Sequence, residues 1–175
     1  MEINKQLAVE EFLDLVDADD CVIGQEKRSV IYAKKASSFR VINAFVLNKK
    51  KEVWIPRRSP HKKLFPLCLD ASVGGHVAAG ETYDQAFHRE TLEELNIETS
   101  QVEYKFLGKL TPEKDGVSAY MYVYAIITDH APDYNKKDFI SASWYSIDAL
   151  KKIIQSGEAT KGDLPVLINF LSSQI

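Results

Sequence analysis

Hydrophobic and polar positions along the chain resolve into short strand-like runs divided by turn residues, with helical spacing in a few places. FRVINAFVLN (39–48) and EVWIPRRS (52–59) carry strand chemistry, and the turn at Lys49–Lys51 between them predicts a β-hairpin. VEYKFLGKL (102–110) and GVSAYMYVYAII (116–127) predict a second hairpin, joined by TPEKDG, whose Pro, Asp and Gly are turn formers. SASWYS (141–146) reads as a further short strand, and IDALKKIIQSG (147–157) and VLINFLSS (166–173) read as helices, the latter started by Asp163 and Pro165. Upstream, Val9–Leu15 is read as a helix, and DADDCVIG (17–24) sets turn residues before a short apolar strand. A helix is predicted over Tyr83–Leu95, opened by Glu81 or Thr82 and closed by Asn96, which tolerates left-handed backbone. Strands and helices mixed in this order predict an α/β or α+β sandwich.

Composition narrows the classes without naming one. The 175 residues are 45% hydrophobic, with 22 Lys and Arg against 25 Asp and Glu. At this length one hydrophobic core is the expectation, so residues 1–175 are read as a single domain with 1–38 as a lead segment packed on it. A net charge of −3 supplies no global field for wrapping a nucleic acid polymer. The acidic start MEINKQLAVEEFLDLVDADD does not resemble a secretory leader, and no apolar run reaches the roughly 18–20 residues of a membrane span, so a soluble, cytoplasmic protein is expected. Cys21 and Cys68 are solitary and are read as inert packing residues.

The most specific segment is GGHVAAGETYDQAFHRETLEELNI, 74–97. At about 100° per residue, Glu93 and Glu94 lie within about 60° of Glu90, on the face that also carries Tyr83, Ala86 and Phe87. An acidic run usually means a solvated helix face. Here the acids continue the apolar stripe, where their charge is costly unless a cation compensates it. Arg89 brings a single positive charge, so a hard divalent ion with oxygen ligands is expected, Mg²⁺ or Mn²⁺. Gly74-Gly75, just upstream, allows close backbone approach or positive φ beside such an ion.

Gly75, Glu81, Arg89-Glu90, Glu93-Glu94 and Ile97 fall at spacings that resemble the Nudix box, G-x5-E-x7-R-E-U-x-E-E-x-G-U with U bulky and aliphatic. Thr91 stands at an aliphatic position and Asn96 at the terminal glycine; both departures concern packing and the helix exit. The resemblance implies an α/β/α sandwich with a central mixed sheet, and Mg²⁺-dependent hydrolysis of a small nucleoside or organic diphosphate. It assigns metal binding and catalysis to Glu90, Glu93 and Glu94, a further metal ligand to the Gly74 carbonyl, and a supporting ion pair to Glu81 and Arg89. One glutamate would act as general base.

A wider likeness, running through DLVDADDCVIG, IPRRSPHKKLFP and DASVGGHVAAGE, is to the Nudix branch of type 1 isopentenyl-diphosphate isomerases and their hydrolase relatives. The isomerases' catalytic cysteine falls at Gly74, and a metal-binding histidine of theirs near Phe39, which disfavours isomerisation. In that branch, positions matching Arg58 and Lys62 contact diphosphate, so Arg57, Arg58 and Lys62 in the basic loop RRSPHKK are substrate-binding candidates, against a solvated loop as the plain alternative. Lys27 or Arg28 is a further candidate to close over the same charge, and Asp138 matches a position that often carries an assisting glutamate. His76 is read first as a hydrogen-bonded structural histidine, and Trp54, Tyr120, Tyr122, Tyr124 and Trp144 as core aromatics rather than base-stacking ones. The expected partner is a small-molecule diphosphate, with no membrane and with a homodimer left open. Isomerisation and a catalytically idle nucleotide-binding domain are the alternatives to hydrolysis.

Overall fold

The computed structural model describes residues 10–175. A two-stranded antiparallel pair, β1 (Phe12–Val16) and β2 (Val22–Lys27), leads into α1 (Arg28–Ala33). The central sheet holds β3 (Arg40–Leu47), β4 (Val53–Arg58), β5 (Val73–His76), β6 (Glu103–Leu110), β7 (Tyr120–Ile127) and β8 (Phe139–Tyr145). Its order is β6-β7-β3-β4-β8, with β5 also paired to β3. The helices are α2 (Tyr83–Leu95), the single turn α3 (Pro112–Asp115), α4 (Ile147–Gln155) and α5 (Leu164–Ser172). Among the described residues no helix is long and apolar enough to cross a membrane.

Alternation along the strands builds the layers. Ile42, Ala44 and Val46 of β3, Trp54 of β4, and Tyr124 and Ile126 of β7 pack with Ala86, Phe87 and Leu95 of α2. Phe45, Leu47, Val53, Ile55, Val123 and Ala125 face the other way, onto Leu150 of α4 and Leu164, Leu167, Ile168 and Leu171 of α5. The result is the expected α/β/α sandwich around a mixed sheet, for β3 runs parallel to β7 and antiparallel to β4 and β5. The aromatics on the strands serve these layers: Tyr124 stacks on Phe87 at 4.2 Å, and Tyr122 on Tyr83 at 3.7 Å.

The edge of β3 opposite β7 is divided. Its end, Val46-Leu47, pairs with β4, whereas Val41–Ala44 pairs with β5. β4 therefore leaves β3 as it runs on beside β8, and the segment Cys68–Ala71 enters the gap, where Arg58 N–H donates to the Cys68 carbonyl and Asp70 N–H to that of Pro56.

Three expectations are corrected. Phe12–Val16, inside the helix read over 9–15, is a strand, and Val9 lies outside the described residues. So short a helix has little stability of its own, whereas β1 finds a partner in β2 and spends Asp14 on the Gly80 N–H and the Gln25 amide. TPEKDG is not a plain turn but a helical turn, capped by Thr111 and left through Gly116 at φ 69°. Cys21 is exposed rather than packed. The helix read over Tyr83–Leu95 has those bounds: Thr82 and Gln85 form a capping box, and Asn96 leaves it at φ 53°.

Thr91, at the aliphatic position of the motif, is 0% exposed, and its Oγ1 has no hydrogen-bond partner among the described residues. A buried hydroxyl without a partner carries a desolvation cost that an isosteric methyl does not. Thr91→Val is expected to raise stability by about 1 kcal/mol in urea unfolding, without altering the helix.

Candidate functional site

α2 lies against β5, and two glycines set the contact. A β-carbon at Gly75 would stand 2.0 Å from Cδ of Glu90, so only glycine admits that carboxylate. Neither Gly74 nor Gly75 has positive φ; of the two roles expected for them, close approach is the one realised. Gly74 N–H donates to Glu94 Oε2 at 3.0 Å, which turns the polar edge of Gly74 toward the helix. In an extended strand the carbonyl of the same residue lies along that edge.

Arg89 ties the helix to the strand. Its Nε and Nη2 donate to Oε1 and Oε2 of Glu81, each at 2.9 Å, and Nη2 also reaches the His76 carbonyl at 2.9 Å. Nη1 meets Glu90 at 2.7 Å and stands 3.6 Å from Glu93. Burial would raise the Glu81 carboxyl, but the Arg89 bonds and the Ala78 N–H outweigh it and hold the group below the usual carboxylate range. Arg89 in turn is raised, chiefly by its bond to Glu81.

The three acids are not equivalent. Glu94 is only 7% exposed, and burial, aided by the charges of Asp70 and Glu90, pushes its carboxyl up to about 8. Burial also raises Glu90, against the pull of Arg89. Glu93, expected on the same buried stripe, has a side chain 59% exposed, a correction that follows from its place at the rim of the helix face. Among the described residues no three acid, histidine or cysteine side chains converge as a ready metal shell, because Arg89 sits against Glu90 and Glu93 while Glu94 is held by Gly74. The donor set nevertheless suits a hard cation: two carboxylates whose charge burial opposes, a third at the solvent edge, and a backbone edge beside them.

The basic candidates are largely spent within the protein. Arg58, with a side chain 11% exposed, donates to Asp70 at 2.6 Å and to the carbonyls of Leu64 and Phe65. Expected as a substrate contact, it holds the loop after β4 to the buried Asp70. Arg57 bonds Glu158 and the Leu67 carbonyl, and Lys62 pairs with Asp138. Lys27 and Arg28 pair with Glu10 and Glu11 of the lead segment. His76 Nε2 is hydrogen-bonded to the Tyr32 hydroxyl at 2.9 Å and its ring stacks on Phe39, while burial and the charges of Arg28, Lys161 and Arg89 push its imidazole down to about 3. Its imidazole is thus held neutral, and it is hydrogen-bonded as expected.

Two residues of this site escaped the sequence reading. Asp70 opens the run DASVGGHVAAGE but was given no role there, and Lys161 lies some 65 positions beyond the helix motif. They meet at 3.4 Å beside Gly74.

Two outcomes follow for the metal-free protein. Glu94 is raised when folded, so between about pH 4.5 and about 8 the native state holds a proton that the unfolded chain has lost. Stability in EDTA should therefore fall as pH rises through that window, by up to about 1.4 kcal/mol per pH unit, and Glu94→Gln should flatten the slope in urea titrations. Gly75→Ala should displace Glu90 and lower the thermal midpoint by several degrees, read by calorimetry.

The NUDIX domain model matches residues 38–169. An uncharacterised Nudix hydrolase of Nostoc sp. is 52% identical over 158 residues, covering 90% of this chain and 94% of that protein. A crystal structure of a Deinococcus radiodurans protein aligns with TM-score 0.87 at 43% identity, over 91% of this chain and 98% of that one. More distant relatives, each 27% identical, are an isopentenyl-diphosphate isomerase of Photorhabdus laumondii, covering 82% of this chain and 84% of that protein, and a prenyl-diphosphate phosphatase of Methanosarcina mazei, covering 81% and 82%. With its α/β/α sandwich and with the motif seated on α2 and β5, this chain belongs to the Nudix family and is a Nudix hydrolase.

Proposed function

We propose that this chain is a Mg²⁺-dependent pyrophosphohydrolase that splits a phosphoanhydride bond in a small nucleoside or organic diphosphate. The observation that carries the reading is the pair of buried carboxylates, Glu90 and Glu94, seated against Gly74-Gly75 where a cation would offset their charge. Glu90, Glu93 and Glu94, with the Gly74 carbonyl, would hold Mg²⁺, or Mn²⁺ in its place. When bound, the ion acidifies a water and offsets charge on the phosphoryl oxygens.

The protein's own residues do the rest. Glu81 and Arg89 orient α2 on β5, so the acids keep their places. Arg89 can leave Glu90 without losing its grip, because Glu81 and the His76 carbonyl still hold it. Arg57 and Lys62 would meet substrate phosphate by exchanging Glu158 and Asp138, and Arg58 would support their loop. The whole chain would act as one cytoplasmic domain, alone or as a homodimer.

Isomerisation is the weaker reading, since Gly74 has no side chain with which to protonate or deprotonate a substrate carbon. Phosphate release from a panel of nucleoside and prenyl diphosphates with Mg²⁺ tests the proposal. The unmodified chain should turn over at least one member, and Glu93→Gln and Glu94→Gln should each lose about 100-fold or more. No release from any member, with ligand binding retained, would mark an idle binding domain; allylic product from isopentenyl diphosphate would mark an isomerase.

A further inference from the structure

The segment after α4 reaches into the site by backbone pairing rather than by a loose loop. Leu69 N–H donates to the Ala159 carbonyl at 2.9 Å, and Lys161 N–H to the Leu69 carbonyl at 2.8 Å, as a short parallel bridge. The next residues are anchored as well: Leu164 N–H bonds the Lys161 carbonyl at 2.9 Å, and Asp163 holds Ser118. Lys161 is therefore fixed at its Cα, unlike an ordinary surface lysine.

Its ammonium comes to rest over Gly74. Nζ lies 3.2 Å from the point a β-carbon of residue 74 would occupy, and the Asn43 Oδ1 lies equally close to that point, at 3.2 Å. The plain account is that Lys161 neutralises Asp70. That acid is already served: Arg58 donates to its Oδ2 at 2.6 Å and Ala71 N–H to its Oδ1 at 2.8 Å, while Lys161 stands off at 3.4 Å. The Lys161 side chain is 30% exposed, and among the described residues its one ion pair is this long one. A compact cation with donors to spare, partly exposed beside Gly74, has the chemistry of a phosphate-binding group.

We propose that Lys161 is a substrate-binding residue of this site, its ammonium occupying the room left by the absent side chain of Gly74 and receiving a phosphoryl group of a diphosphate. The assignment rests on the hydrolase reading for its place in a reaction, but its binding role is measurable without turnover. Gly74 thereby serves twice, by its N–H toward Glu94 and by its missing side chain toward Lys161.

The probe is methylenediphosphonate, a diphosphate that cannot be cleaved, titrated with Mg²⁺ present into the full chain by calorimetry. Lys161→Met, which keeps length and removes charge, should raise its Kd roughly 10- to 100-fold, and Lys161→Arg should recover most of the loss. The urea midpoint of both should match the unmodified chain. With a hydrolysed substrate, Lys161→Met should raise KM more than it lowers kcat. Gly74→Ala should weaken the probe in the unmodified background and add little on top of Lys161→Met, because both act on one space. An unchanged Kd in Lys161→Met, fully additive losses, or no binding of the probe by the unmodified chain would each overturn the assignment. Turnover by the unmodified chain with Lys161→Met indistinguishable from it would remove Lys161 alone; Lys161-dependent binding with no turnover on the panel would remove hydrolysis and leave the phosphate site standing.

Discussion

Two carboxylates packed against the two adjacent glycines of one strand form the constraint on which this molecule turns. Glu90 fills the space a residue at 75 would need, and Glu94 takes the N–H of Gly74. Their charges are opposed by burial, so the surroundings carry cations in compensation: Arg89 on one side, and Arg58 and Lys161 around Asp70 on the other. An acid pair held in this way suits a cation, because the unfavourable part of gathering the charges has already been met in folding.

The sheet supplies the room. By giving its last residues to β4 and its first four pairs to β5, β3 forces the two strands apart, and the wedge between them is where Asp70 and Lys161 enter. The face of β3 toward α2 and the face toward α5 are filled by alternate residues of the same strand, so the strand that carries the wedge is buried on both sides.

The helix and its motif were legible because their signals are local. Thr82 with Gln85, the apolar spacing of Tyr83, Ala86 and Phe87, and Asn96 at the exit all act within a turn or two of backbone, and the bounds of α2 follow from them. The Glu81 and Arg89 pair, eight residues apart, was implied by the likeness to the Nudix box, and the structure forms it. The lead segment was not: Phe12–Val16 has weak helical spacing of its own, and its strand form depends on β2 and on the turn at Ala78–Gly80, far along the chain.

By itself, then, the sequence determined the mixture of strands and helices, the position of α2 and the presence of an acid cluster behind a double glycine, since periodicity and capping are properties of neighbouring residues, while the α/β/α layering was implied by the likeness to the Nudix box. Only the tertiary structure decided which acid is exposed, that Arg58 is buried against Asp70, and that Lys161 stands over Gly74. Those outcomes depend on contacts between residues 12 to about 90 positions apart, where charge is placed by packing and by the dielectric it creates, and no local pattern encodes them.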